Sequence, residues 1–258
     1  MDPNVSLQAL REHTPLVHCI TNYVAMNIAA NVTLAAGASP AMLHAAEEVA
    51  DFVPISGALT INIGTLSAPW ADSMKVAART AQRANIPWVL DPVAHFATPY
   101  RACVAQKLLA LSPDIVRGNA SEIIALSGGK GGGKGADSGD SVTDAQAAAH
   151  ALAVSQGCVV AVSGVEDFIT DGTRSTHIRG GSEFMPLVTA LGCSLTALVG
   201  AYAAIAPRFD AAVAAFTHFA EAGERAGKNA LGPGSFSVAF LDQLRSLQAG
   251  DLDEGRLS

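Results

Sequence analysis

The stretch Pro186-Leu187-Val188-Thr189-Ala190-Leu191-Gly192-Cys193-Ser194-Leu195-Thr196-Ala197-Leu198-Val199-Gly200-Ala201-Tyr202-Ala203-Ala204-Ile205-Ala206-Pro207 decides how this chain is read. Between the two prolines no residue is charged. Twenty such residues are about what a helix needs to span a bilayer. A buried core helix has the same signature, and so does a loop that opens a helix and carries a reactive group in its first turn. The composition argues against a span. Thr189, Gly192, Ser194, Thr196 and Gly200 interrupt the run, its apolar content is mostly alanine, and no Lys/Arg cluster or Trp flanks it. A helix of a soluble protein is the better expectation. If it begins at Gly192-Cys193, its first N–H groups lack partners and form an anion hole. The Cys193 thiol then sits at the positive end of the helix dipole, where a thiolate is favoured. The alternative reading of Cys193, a small buried hydrophobe, stays open beside it.

Upstream, short β-branched apolar runs alternate with helical segments. Strands are expected at about 16–21, 39–43, 58–64, 87–92, 114–119 and 159–164. Helices are expected at about 23–36, 47–53, 68–85, 99–111, from 121, and 144–156. Buried runs joined by helices of this length make a parallel sheet with right-handed crossovers. Then the pattern changes. Residues 167–170 and 174–179 flank Asp171-Gly172, a hairpin turn signal. The rest, about 193–206, 208–228 and 236–247, is helical. The expected fold is one α/β domain over 1–258: three layers, α/β/α, with a mostly parallel central sheet and an antiparallel edge. A flexible Gly-rich loop is expected at about 128–142, and a frayed polar tail at about 249–258.

In such sheets ligands bind outside the carboxyl ends of the strands. Those ends offer Asn22, Asn62 with Gly64, Asp91, Arg117 with Asn119, and Ser163. Glu122 follows in the first turn of the next helix. Asn119 as a cap and Glu122 as a helix-start acid explain those two locally. The convergence of the whole set on one rim points to a site. The loop 128–135 has the spacing of a phosphate-binding G-x-x-x-x-G-K, but Gly135 stands where Ser or Thr binds Mg²⁺, so a flexible loop is the expectation. His18 and His95 read as structural histidines. His44-x-x-Glu47 lacks the spacing of a zinc motif.

Composition sets the outer limits. Half of the 258 residues are hydrophobic and 15% are charged, which allows a large core. A net charge of −7 argues against nucleic acid and anionic membranes as partners but leaves a nucleotide open. Cys19, Cys103, Cys158 and Cys193 are widely spaced, and the N-terminus lacks a basic and an apolar signal region. Reduced thiols in a cytoplasm follow.

Read together, the segments PLVHCITNYVAMNIAAN, GASPAM, EEVADF, GALTINIGTLS, LDPV, ATPYR, IVRGNASEI, KGAD, GCSLTALVGA and GPGSF run in order from about residue 15 to 244. In that order they resemble the hydroxyethylthiazole kinases, thiamin-salvage enzymes of the ribokinase-like class. The resemblance implies phosphorylation of the hydroxyl of 4-methyl-5-(2-hydroxyethyl)thiazole by ATP with Mg²⁺, in a homotrimer. It implies that Met42, Asn22, Gly64 and Ala190 hold the thiazole. Arg117, Ser163 (where Thr is usual), Asn119 and Gly192 would face ATP and the anion hole, and Asp91 and Glu122 would organise Mg²⁺. Cys193 stands where most ribokinase-like enzymes carry a catalytic Asp. Two departures stand out. The family's T-G-x-G-C is here Thr189-Ala190-Leu191-Gly192-Cys193, and the glycines usual after the Asp-Pro-Val segment are replaced by Ala94-His95-Phe96. Another small-alcohol kinase of the class, or a ligand-binding trimer without turnover, is the alternative these departures motivate.

Overall fold

The computed structural model describes residues 2–129 and 139–258. Eight strands form one sheet in the order β2-β1-β3-β4-β5-β6-β7-β8. They are β1 (Leu16–Ile20), β2 (Ser39–Ala41), β3 (Ala58–Asn62), β4 (Trp88–Asp91), β5 (Ile115–Asn119), β6 (Val159–Ser163), β7 (Glu166–Thr170) and β8 (Ser175–Arg179). The first six in chain order pair in parallel. The last two add an antiparallel edge. Asp171-Gly172 makes their turn: the Asp171 carboxylate accepts from the Thr173 and Arg174 N–H groups, and Gly172 has a positive φ.

Period-2 alternation sends successive strand residues into opposite cores. Val89, Ile115, Val159 and Ala161 face one core, built with α1 (Pro3–His13), α2 (Met26–Ala36), α8 (Leu191–Ala203), α9 (Arg208–Gly227) and α10 (Pro233–Ser246). Trp88, Leu90, Val116, Val160 and Val162 face the other, built with α4 (Ala68–Ala84), α5 (Pro99–Leu109), α6 (Ala120–Leu126) and α7 (Val142–Gln156). The short α3 (Val49–Phe52) precedes β3. The three-layer α/β/α architecture with an antiparallel edge is the one expected.

The stretch that opened the reading holds α8, buried from Ser194 to Ala203, with Gly192 exposed and Cys193 half-buried in its first turn. Gly200 lets it lie against β3, because a Cβ there would collide with the Thr60 methyl. No helix among the described residues is long and apolar enough to cross a membrane.

Two expectations change, and one element is added to the expected set. Residues Pro3–His13 form α1, buried at Pro3, Ser6, Leu7 and Leu10; Asp2 caps it through the Asn4 N–H, and Pro3 opens it. The tail at 249–258, expected to fray, is docked. Leu252 is buried, Leu257 bridges to Ile178, and Ser258 exchanges main-chain hydrogen bonds with His177. Arg256 pairs with Glu221 at 2.7 Å and Glu224 at 2.6 Å, so two apolar side chains and one arginine hold a segment whose composition reads as polar. The helix expected from about 144 starts earlier, since α6 ends at Leu126 and α7 begins at Val142. Ser141 caps α7 in a capping box with Asp144, and Ser121 donates to Asp140 while accepting from the Gly139 N–H. Residues 130–138, with most of the Gly-rich motif and the KGAD segment, lie outside the described residues.

Candidate active site

The carboxyl ends of β1, β3, β4, β5 and β6 lie side by side, and parallel register aligns their last polar residues. Asn62 sits opposite Asp91, and Asn119 opposite Ser163. At the centre is Asp91, fully buried. Its Oδ2 accepts from Asn62 Nδ2 at 2.7 Å and Thr196 Oγ1 at 2.6 Å, with Arg117 Nη1 3.6 Å away. Asn62 Oδ1 accepts from Asn22 Nδ2 at 2.8 Å and from the Gly64 N–H at 2.9 Å. Asn22 Nδ2 also donates to Cys193 Sγ at 3.5 Å. The chain Cys193–Asn22–Asn62–Asp91–Thr196 thus leaves α8 and returns to it one turn later.

Local geometry explains each position. Asn22 folds the chain into α2: its side chain accepts from the Ala25 N–H, which delays the helix to Met26 rather than 23. Gly64 is required by close packing, since a Cβ there would stand 2.5 Å from Asn22 Nδ2. Asn119 and Glu122 form a capping box that opens α6. Asn119 Oδ1 accepts from the Glu122 N–H at 2.9 Å. Glu122 Oε2 accepts from the Asn119 N–H and Oε1 from the Ala94 N–H, both at 2.8 Å.

At the start of α8, the Leu191 N–H donates to Val188 O and the Ser194 N–H makes the first helical bond to Ala190 O. Between them, the N–H groups of Gly192 and Cys193 are the open donors of the first turn. A Cβ on Gly192 would come 3.3 Å from Arg117 Nη2, so this turn rests against the guanidinium. Arg117 also donates to Ser163 Oγ at 2.6 Å. The cap of α8 is Ala190, at φ 59 and ψ 11 in the left-handed region. Ala94 is left-handed too, at φ 47. Both alanines thus occupy conformations that favour glycine, at the two places where the family pattern expects one.

The electrostatics are those of two buried carboxylates sharing one arginine, Arg117. Burial pushes Asp91 up, opposed by Arg117 and by the bonds from Thr196 and Asn62. Glu122 is raised to about 7, first by burial and then by the charge of Asp91, against the two N–H donors and Arg117. Cys193 is raised to about 11 by burial and by Asp91. The helix-start thiolate expected from sequence is corrected here: desolvation and a neighbouring carboxylate outweigh the dipole.

Met42 lies one residue beyond β2, beside β1, and packs partly buried on the core under α2 and α8. His18 is buried and bonded to Leu43 O, and His95 is buried behind β4. Thr196 and Arg101 join the rim without having been singled out. Thr196 sits three residues after Cys193, a helical spacing that places both on one face. Among the described residues no cluster of three or more His, Cys, Asp or Glu holds a metal unaided. Asp91 Oδ1, buried and without a hydrogen-bond partner, fits a hard cation that keeps most of its ligands as water and phosphate oxygens.

A mostly parallel sheet between two helical layers, with an antiparallel edge and a polar rim at its carboxyl ends, is a ribokinase-like fold. The fold is similar to that of a ribokinase-like superfamily protein from Enterococcus faecalis V583 (TM-score 0.70, 11% identity, 96% of both chains). Within this class the chain belongs to the hydroxyethylthiazole kinase family, whose model matches residues 7–250. A hydroxyethylthiazole kinase of Roseobacter denitrificans is 64% identical over 252 residues, 98% of each chain. The structure of a hydroxyethylthiazole kinase protein from Pyrococcus horikoshii OT3 matches with a TM-score of 0.89 and 37% identity, over 96% of this chain and 94% of that one.

Proposed function

We propose that this enzyme transfers the γ-phosphoryl group of ATP to the hydroxyl of 4-methyl-5-(2-hydroxyethyl)thiazole, forming the phosphate ester and ADP in thiamin salvage. Family membership across nearly the whole chain carries this reading. The buried Asp91 network beneath an open helix start supports its chemistry.

The alcohol oxygen attacks the γ-phosphorus, and the bond from that phosphorus to the β–γ bridging oxygen breaks. Catalysis of such a transfer is positioning and charge stabilisation. Arg117 and the Gly192 and Cys193 N–H groups supply donors to the transferring group. Ser163 braces Arg117 from β6 and lies beside the nucleotide. Asn22, Gly64, Ala190 and Met42 form the acceptor side. Asp91 and Glu122 would hold Mg²⁺, which would supply neutralisation of the phosphate charge. With a loose transition state the hydroxyl proton leaves late, to an oxygen of the transferred phosphoryl group. Cys193, protonated at neutral pH, then orients the acceptor hydroxyl rather than removing its proton.

The homotrimer is part of the same reading. Tyr23, Val24 and Leu34, exposed apolar residues on and just before α2, support a subunit contact close to Asn22. The four cysteines are free, in keeping with a reducing cytoplasm. A coupled ADP-release assay tests the activity. The thiazole alcohol should outperform pyridoxal, a pyrimidine alcohol and a sugar. Equal or better turnover of any of these reassigns the acceptor, and thiazole binding without ADP makes the protein a binder.

A further inference from the structure

Arg101 stands in the first turn of α5, where its N–H donates to the Thr98 cap. Its guanidinium is spent entirely on main-chain carbonyls of two loops. Nε donates to Ala94 O at 3.1 Å, Nη1 to Gly64 O at 3.1 Å, and Nη2 to Ile63 O at 2.7 Å and to Val93 O. These loops leave the adjacent strands β3 and β4 at the functional rim. The residues gripped are informative. Gly64 gives its carbonyl to Arg101 and its N–H to Asn62 Oδ1, the amide whose Nδ2 reaches Asp91. Ala94 gives its carbonyl to Arg101 and its N–H to Glu122 Oε1. Each peptide that orients a rim side chain on one side is thus tied to the same guanidinium through its neighbouring carbonyl.

Ala94 makes the need for that tie explicit. Its left-handed backbone is unfavourable for an alanine, so the surroundings must hold it there. A planar fork with five donors reaches carbonyls of two loops at once; an ammonium, a single point with three donors, does not.

We propose that Arg101 is a positioning residue, which holds the loops after β3 and β4 so that Gly64 and Ala94 aim Asn62 at Asp91 and fix Glu122. The consequence for catalysis rests on the reading of this rim as a phosphoryl-transfer site; the consequence for the loops does not. Arg101 touches neither substrate in this arrangement and acts through the two carboxylates and the amide.

The test compares Arg101→Lys and Arg101→Met with the wild-type full chain. The first readout is amide hydrogen exchange of the ligand-free protein. Gly64 and Ala94 should exchange at least about tenfold faster in both variants, with β3, β4 and α8 retaining wild-type protection. The second is phosphorylation kinetics at varied Mg²⁺ and thiazole alcohol. The Mg²⁺ concentration for half activity and the acceptor KM should both rise about tenfold in Arg101→Lys, beyond any fall in kcat. Unchanged exchange at Gly64 and Ala94 overturns the proposal. A fall in kcat alone, with KM and Mg²⁺ dependence intact, overturns it as well, because loss of folded enzyme does only that. If the wild type releases no ADP, the phosphoryl-transfer reading fails on its own, and the exchange measurement still decides the role of Arg101 in the loops.

Discussion

Ala190→Gly removes one methyl group from the cap of α8 and should make the protein more stable, against the usual effect of glycine. At an ordinary helical position, Ala→Gly costs about 1 kcal/mol. Ala190 has φ 59 and ψ 11, where an L side chain crowds the backbone and costs about 1–2 kcal/mol. Glycine relieves that cost, and the freer unfolded chain takes back about 0.4–1 kcal/mol. The expected net effect is a stabilisation of about 0.5 kcal/mol, with a Tm rise of about 1–2 °C for a chain of this size. Ala190→Val should move the other way by more than 1 kcal/mol, since a β-branched residue tolerates this region least. Urea unfolding with a shared m-value measures both. Steady-state ADP release reports whether the turn still presents the Gly192 and Cys193 N–H groups. If Ala190→Gly destabilises by about 1 kcal/mol, like any exposed helical glycine, the left-handed cap is wrong. Alanine then stands in place of the family glycine without backbone strain.

The other predictions follow from neighbouring features. Gly64→Ala puts a methyl group 2.5–2.8 Å from the Asn22 side chain and should displace it from Asn62 and Cys193. It should cost about 2–4 kcal/mol in denaturant unfolding and raise the acceptor KM; wild-type values of both would show that the rim accommodates a Cβ. Cys193→Ala should lower kcat less than about 100-fold and leave the rate profile between pH 7 and 9 unshifted, because the thiol is protonated there. A loss of 10³-fold or more, or of a titrating limb, would restore a general-base role. His218 lies buried between the Tyr202 hydroxyl and Leu244 O, and burial lowers it from 6.5 to about 4. The unfolded chain takes up this proton first, so the contribution is complete above pH 6.5 and is lost as pH falls towards 4, by about 3 kcal/mol in all. Glu122, raised to about 7, works in the opposite sense, so the difference between wild type and His218→Gln isolates the histidine. That difference should shrink on acidification, and a pH-independent one would mean that His218 is not held neutral.

Much of this protein is legible before folding is considered. Strand and helix order follows from buried β-branched runs, the hairpin from Asp171-Gly172, and the rim from polar residues at strand ends. These are local signals, and a parallel sheet turns them into an address, since its carboxyl ends must lie together. Boundaries shift where a side chain competes with the backbone, as Asn22 does before α2. The docked tail escaped notice because what holds it, Glu221, Glu224 and Ile178, is remote in sequence.

The site divides along the same line. The residue types are written in the chain: two carboxylates, an arginine, three asparagines, and a glycine before a cysteine at a helix start. Their protonation and partners are set by packing. A helix N-terminus alone predicts a thiolate at Cys193; burial beside Asp91 reverses it. A capping signal alone predicts an ordinary Glu122; the loss of water and then the charge of Asp91 lift it to about 7. Arg101 looks like an unremarkable arginine after Pro99-Tyr100, and only the fold brings four carbonyls to it. The physical reason is one of range. Propensity and capping act within a turn of the chain. Desolvation, charge pairing and shared hydrogen bonds depend on which distant segments close around a group and exclude water from it.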